Sequence, residues 1–398
     1  NNTMQTTLKN LFQRGQAWWN YVTTCKEPIR PVVMENITKL LSCGLSVRGC
    51  ATYACSNPNC THMKVICFTC KSRFCSSCGK KATAQWMHRQ HDILPHVPWQ
   101  HITLTMPKSL WRLFKGNRHL LNTISALAAQ AIQMLAKKRG LIVGIFTALH
   151  TFGRDIKWNV HIHLSTMRVG LDANHNLQSI YFKKNHIMKM WRYRIIDLLR
   201  NAYKDNKLTL PESLAALCPN LSSFNQWLNR RYQQRWIIHC AKPSFNHHHN
   251  VAYLGRYIKR PPMAQSRLKH YDGRNVVFNY LNHRTKTKRD FHCPLSAFIE
   301  RLTQHIPEKY FRMIRYYGIL SNRMRGKMLP LVYQHIRQPK NDRPAPRWYH
   351  LIKRTFGHSP LQCILCGATM VLSAIRIGKP HIEIMMQHKA LALMKKVK

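Results

Sequence analysis

The 398-residue sequence predicts an α+β fold: an antiparallel sheet with helices on one face, preceded by a small cysteine-rich domain and followed by a basic C-terminal region. Three observations carry this expectation. Nine of the fourteen cysteines fall between Cys25 and Cys78. From Trp99 onward, runs with strand-like alternation are interleaved with runs of helical periodicity. Among them stand His161 and His163, two apart in a strand-like run, and Tyr253 and Tyr257, four apart in a helix-like one.

The cysteine-rich domain is expected over residues 1–95, ending in a polar helical stretch from Ala82 to His91. Four residues separate Cys55 from Cys60, and two separate Cys67 from Cys70 and Cys75 from Cys78. Short knuckles of this kind bring two thiolates to one tetrahedral ion, so two knuckles make a structural Zn²⁺ site. Cys55, Cys60, Cys75 and Cys78 are the expected core set, with Cys67, Cys70, Cys43 and His62 available for a second ion. Cys25, Cys218, Cys240 and Cys293 read as small buried thiols. Cys363 and Cys366 form half a site, with His350, His358, His381 or His388 as candidate partners. No signal-peptide pattern opens the chain, which favours metal binding in a reducing cytoplasm over a disulfide framework.

The second domain is expected over residues 96–290. His101–Met106 alternates like a strand, Asn117–Arg139 reads as a helix and Gly140–His150 as a strand. After a turn at Gly153 comes the histidine strand, 159–169, then a helix from Ile187 to Tyr203. A polar stretch, about 204–234, reads as an insertion. Trp236–Cys240 is strand-like. A helix capped by Asn250 then carries the two tyrosines and is stopped by Pro261 and Pro262. Residues 291–398 form the basic C-terminal region.

Sixty-three Lys and Arg against fourteen Asp and Glu give a net charge of +49 and a pI near 10.4. Such an imbalance repels itself without a polyanion, and its interleaving with aromatic residues suits a nucleic-acid channel with stacking platforms for unpaired bases. Ten tryptophans and this length fit poorly with a ribosomal or histone-type basic protein. There is no apolar run long enough to cross a membrane and no basic amphipathic anchor. There is also no phosphate-binding loop, so no ATP site is expected.

In a strand, positions 161 and 163 lie on one side while Val160, Ile162 and Leu164 face a core. Two imidazoles leave a divalent ion under-coordinated. His150 is the first candidate for a third ligand, because a hairpin of the two strands sets it opposite His161 or His163; Asp155 at the tip is the second. Four residues apart in a helix, Tyr253 and Tyr257 can be offered to one phosphodiester. A tyrosine hydroxyl, with a reference pKa of about 10, needs a nearby cation or base to become a nucleophile, and Lys259 and Arg256 lie in the same helix. The competing chemistry, a carboxylate cluster holding two magnesium ions, lacks a close pair of carboxylates in this segment.

With these motifs in order, the chain resembles the rolling-circle transposases of bacterial insertion sequences, the two-tyrosine branch of the HUH endonucleases. The likeness runs over most of the chain. It includes Cys70–Gly79, Leu149–Asp155, His161–His163, Tyr253–Arg260 and Ile314–Arg325. The resemblance implies an HUH-type catalytic domain in which His161 and His163 bind a catalytic Mg²⁺ or Mn²⁺, with His150 the first candidate to complete the site. Ligand softness alone would favour zinc there. It also implies that Tyr253 and Tyr257 are nucleophiles that cleave and transfer single strands at element ends through 5′-phosphotyrosine bonds; Lys259, in the same helix, is the candidate to assist. Arg256, Arg260, Arg323 and Arg325 are the expected DNA contacts, and the host replication machinery and the nucleoid are the implied setting. The sequence departs from many relatives in having Asn159 and Val160 where they have His-Pro. A rolling-circle replication initiator or relaxase would use the same residues, and a zinc-finger nucleic-acid-binding protein without catalysis is the reading from another class.

Overall fold

The protein is described by a computed structural model for residues 7–241, 251–252, 255, 262–282, 285–339 and 347–394. Its strands are β1 (Gly49–Cys55), β2 (Met63–Cys67), β3 (Trp99–Leu104), β4 (Ile142–Phe152), β5 (Trp158–Leu171) and β6 (Leu177–Ser179), followed by β7 (Ile238–Cys240), β8 (Leu268–Tyr271), β9 (Asn275–Leu281), β10 (Lys288–Pro294), β11 (Ile314–Gly318) and β12 (Met370–Ile377). Among the described residues these form three sheets, with orders β12-β1-β2, β10-β9-β8 and β11-β4-β5-β3-β7, and β6 pairs with the end of β5. Every pairing is antiparallel.

The central sheet grows from the long β4–β5 hairpin, rich in the β-branched and aromatic residues that fit a pleated, buried surface. Val143, Ile145 and Leu149 on β4 share a face with Val160, Ile162 and Leu164 on β5, as the alternation predicts. The helices Lys108–Gly116, Leu121–Lys137, Lys184–Lys204 and Leu221–Tyr232 cover that face. The opposite face is also covered, which corrects the expectation of helices on one side. Trp86 of helix Ser76–Ile93, with Leu329 and Val332 of helix Asn322–His335, packs in one cluster with Trp99, Phe146, Ala148 and Met167. Both covering helices come from outside the segment 96–290, so its periodicity held no sign of them.

Several boundaries move. Helix Lys108–Gly116 was absent from the sequence reading, and the expected helix from Asn117 begins with a short 3₁₀ turn before Leu121–Lys137. Within the segment 204–234, Phe224 and Leu228 are fully buried in the main core, and Phe224 stacks on Tyr203 at 4.5 Å. Long polar stretches hid two apolar residues on one helical face.

The three-part division at residues 95 and 290 does not follow the strand pairing either. β12 forms a ladder with β1, so the chain's two ends build one sheet. The N-terminal helices Leu8–Gln13, Ala17–Thr24 and Pro31–Leu41 share a core with β8, β9 and helix Leu295–Thr303. β11 is an edge strand of the central sheet. Non-local pairings of this kind leave no mark on local composition.

Gly318 ends β11 with φ +58, and a Cβ placed there would fall on the Val143 carbonyl oxygen. Left-handed backbone costs a non-glycine residue about 1–2 kcal/mol before any overlap is counted. Gly318→Ala is therefore expected to lower the midpoint of thermal unfolding by several degrees. Gly326→Ala, in a helix with open space around the new methyl, should leave it unchanged or raise it. Equal midpoints for Gly318→Ala and the parent in a calorimetric scan would refute this account.

Candidate active site and metal centres

His150 pairs with His161 across β4 and β5, and Ala148 with His163, so the three imidazoles share the sheet face opposite the Val160–Leu164 core. Ring centroids lie 5.4 Å apart for His150–His161, 4.7 Å for His150–His163 and 4.9 Å for His161–His163. One ring nitrogen from each falls within 4.8 Å of the others. The Nδ1–H of His161 donates to the Asn159 carbonyl at 3.0 Å, and Nδ1 of His163 lies 3.3 Å from the Thr103 hydroxyl. These contacts turn both Nε2 atoms toward each other, 3.2 Å apart. Two donors about 2.1 Å from an octahedral ion, at right angles, stand about 3.0 Å apart, so the pair fits one divalent cation.

Burial holds the His161 ring down at about 4, against a hydrogen bond to the Asn159 carbonyl, and pushes His163 well below its ordinary value, with His161 adding to the effect. Both rings are thus neutral near pH 7 and keep the lone pair that ligation requires. Asp155, the second candidate for third ligand, does not reach the cluster; it pairs with Lys157 at 3.3 Å at the hairpin tip. Thr103 and Asn159, which orient the rings, escaped the sequence reading because one lies on another strand and the other acts through its backbone.

Tyr253, Tyr257, Lys259, Arg256 and Arg260 lie outside the described residues. Their described neighbours have definite places. Val251 is fully buried in the cluster containing Phe146, Ala148 and Met167, the residues that precede His150 and follow His163 on the same sheet face. Gly255 sits against the side chain of Met87. Met87 also lines a cavity of about 840 Å³ walled by Lys80, His88, Arg354 and Thr355, between helices Ser76–Ile93 and Trp348–Phe356. Arg323 and Arg325 are exposed on the first turn of helix Asn322–His335.

The thiols sort into two sets that differ from the expected partition. Cys43, Cys70, Cys75 and Cys78 form one, with Sγ separations of 3.7 Å for Cys43–Cys78, 3.6 Å for Cys70–Cys78 and 3.8 Å for Cys43–Cys75. Cys55 and Cys60 join Cys363 and Cys366 instead of Cys75 and Cys78. A zinc–sulfur bond of about 2.3 Å implies tetrahedral edges of about 3.8 Å, which the first set matches closely. Cys67 belongs to neither set and lies opposite Cys50 across β1 and β2. His350, His358, His381 and His388 do not complete the Cys363–Cys366 half-site; His62 lies beside it, its Nδ1 3.1 Å from Cys363 Sγ. Cys218 and Cys293 are buried as expected, whereas Cys25 and Cys240 are half-buried.

Residues 13–106 match the family model for a transposase zinc-binding domain, and residues 144–327 match the model for a putative transposase. The chain is 40% identical over 395 residues to the transposase for insertion sequence element IS801 of Pseudomonas savastanoi pv. phaseolicola, covering 98% of this chain and 95% of that protein. The chain belongs to the IS91/IS801 family of transposases. The transposase is also 23% identical over 373 residues to the putative transposase y4qJ of Sinorhizobium fredii, covering 90% and 92% of the two chains. No solved structure matches it. Its antiparallel sheet with a cysteine-rich N-terminal domain is consistent with an HUH-type fold, and no helix among the described residues is long and apolar enough to cross a membrane.

One further imidazole supports the histidine hairpin without joining the cluster. His305 is buried, donates Nε2–H to the Ile156 carbonyl at 2.8 Å, accepts from the Thr151 hydroxyl at 3.1 Å and stacks on Trp158. Burial is the main cause that brings it down to about 3, and the guanidinium of Arg118 adds to it. A depressed folded-state value means that stability is complete above the unfolded value, about 6.5, and is lost as pH falls toward 3. Between pH 6 and 4 in EDTA, unfolding free energies of the parent should fall more steeply than those of His305→Gln, by about 1.4 kcal/mol per pH unit. Parallel slopes would remove His305 from the acid sensitivity of the fold.

Proposed function

We propose that the transposase cuts and rejoins one DNA strand by attack of Tyr253 or Tyr257 on a phosphodiester seated over His150, His161 and His163. The observation that carries this reading is the convergence of three imidazole nitrogens on the sheet face where Val251 packs, two residues before Tyr253. The phenolic oxygen attacks phosphorus, the bond from phosphorus to the 3′ oxygen breaks, and the proton lost by tyrosine returns to that oxygen as a free 3′-hydroxyl. The 5′-phosphotyrosine conserves the energy of the broken bond, so rejoining to another 3′-hydroxyl requires no ATP. Two tyrosines allow two such bonds for successive cleavages.

His150, His161 and His163 would hold Mg²⁺ or Mn²⁺, which supplies Lewis-acid stabilisation of the phosphate charge when bound. Neutral imidazoles suit this role, because they leave the cation's charge undiminished for the phosphate. Lys259 and Arg256 favour the phenolate, and Arg260, Arg323 and Arg325 serve the DNA backbone, where positive charge provides sequence-independent affinity. Cys43, Cys70, Cys75 and Cys78 fit a structural zinc ion that fixes the start of helix Ser76–Ile93, whose Met87 meets Gly255.

The test uses 5′- and 3′-labelled single-stranded oligonucleotides carrying element ends, with Mg²⁺ or Mn²⁺, read on denaturing gels. A protein-linked band carrying the 3′-labelled product is expected, absent with EDTA and in the Tyr253→Phe/Tyr257→Phe double variant. His161→Ala should lower cleavage about 100-fold or more while leaving the circular dichroism unchanged, the size expected when a preorganised electrostatic partner is lost. Cleavage that persists in the double tyrosine variant without a covalent band would replace this mechanism by direct hydrolysis.

A further inference from the structure

The matched zinc-binding domain ends at residue 106, yet half of the second thiolate set lies at Cys363 and Cys366. The Sγ atoms of Cys55 and Cys366 are 3.4 Å apart and those of Cys60 and Cys363 3.8 Å apart. All four ligand atoms fall within 4.8 Å of one another. We infer that Cys55, Cys60, Cys363 and Cys366 bind a second zinc ion that clips the C-terminal segment of the transposase onto its N-terminal domain.

Each half of the set is a preformed turn. Cys60 N–H donates to the Asn57 carbonyl at 3.0 Å in one, and Gly367 N–H donates to the Cys363 carbonyl at 3.0 Å in the other. Gly367 takes φ +74, which lets the chain double back after Cys366. His62 is placed to donate a ring N–H to the Cys363 thiolate, the kind of outer contact that steadies a metal ligand. Four thiolates in a closed tetrahedral arrangement suit a structural zinc ion and leave no open position for chemistry.

What the ion would hold together is visible in the burial of β12. Met370 is 2% exposed, but Val371, Leu372, Ile375 and Ile377 are 50%, 53%, 61% and 89% exposed. The strand pairs with β1 over seven residue pairs, yet gains little from hydrophobic burial. Bringing Cys363 to Cys60 closes a loop of 303 residues, an entropic cost that hydrogen bonds to an exposed strand offset poorly. Metal ligation of four thiolates offsets it, because binding free energy at such a site becomes folding free energy. The clip also bears on the cavity lined by Met87, since helix Trp348–Phe356, which supplies Leu351, Arg354 and Thr355 to its wall, leads directly into the Cys363 knuckle.

The measurement is metal content of the purified full chain by inductively coupled plasma mass spectrometry, with no DNA present, so its outcome is independent of the tyrosine chemistry. Two zinc ions per chain are expected, and one in Cys363→Ser/Cys366→Ser. In that variant, limited proteolysis should cut within 347–394 while β4 and β5 stay protected. Cys363→His, which keeps a donor, should retain both ions, and its cobalt-substituted form should show absorption bands moved to shorter wavelength from those of four thiolates. One zinc ion in the parent, unchanged content in the serine variant, iron in place of zinc, or a mass two units low from a Cys55–Cys366 disulfide would each overturn the assignment. Should the serine variant fail to fold, the cobalt spectra of the parent and of Cys363→His decide the matter: identical spectra exclude Cys363 as a ligand.

Discussion

The antiparallel register of β4 on β5 is the constraint on which the rest of the molecule rests. Because side chains alternate with a period of two, pairing His150 with His161 fixes all three imidazoles on one face and Val160, Ile162 and Leu164 on the other. A slip of one residue would turn the three imidazoles into the apolar core and take Val160, Ile162 and Leu164 away from the helices they pack against, so hydrophobic packing itself holds the site in register. The strands flanking the hairpin then have little freedom. β3 must set Thr103 beside His163, and β11 must bring Gly318 over Val143, because each pairs with a strand already fixed.

That same face is the one closed by elements far away in sequence. Helix Ser76–Ile93 begins at the Cys75–Cys78 knuckle and delivers Trp86 to Tyr316 of β11, with the indole N–H donating to the phenol oxygen at 3.0 Å. The hairpin tip is tied to the N-terminal core through Ile156 and to helix Leu295–Thr303 and its exit through His305. The cysteine-rich region therefore does more than carry its own fold. It sets the position of a helix whose Trp86 packs on the sheet and whose Met87 meets Gly255.

Local patterns carried the central hairpin, the helix Lys184–Lys204 and the His150 position into view, because each depends on a period of two or of 3.6 within one continuous run. The same holds for the presence of metal-binding knuckles, since two cysteines in a tight turn are a local signal. Which knuckle joins which was illegible: Cys55 and Cys60 are closer in sequence to Cys75 and Cys78 than to Cys363 and Cys366, and only the β1–β12 ladder reverses that proximity. The cover on the histidine face was missed for a related reason. Helix Asn322–His335 contains Gly326 and Pro330 and buries just Leu329 and Val332, too few apolar residues for its periodicity to stand out. Recognition of the two tyrosines rested on the order of motifs along the chain, and nothing in the described residues bears on their own geometry.

The chain separates two kinds of donor set by chemistry as well as by distance. Both cysteine sets are purely thiolate and tetrahedral in spacing, a soft environment that selects zinc and closes its coordination sphere. The histidine set lies on one sheet face and offers three nitrogens, two of them from His161 and His163 rings that burial keeps neutral, which leaves coordination positions for oxygen ligands. On the proposed reading, such a division would let a single polypeptide bind a structural ion tightly during folding while keeping a second, weaker site for a cation whose remaining ligands come from solvent and substrate. With a net charge of +49, a cationic site placed on an already basic molecule would be electrostatically unfavourable in the absence of a polyanion. The cost falls when a DNA strand brings its phosphates to the same face. Cation and DNA are then expected to bind with mutual reinforcement, each lowering the repulsion that opposes the other.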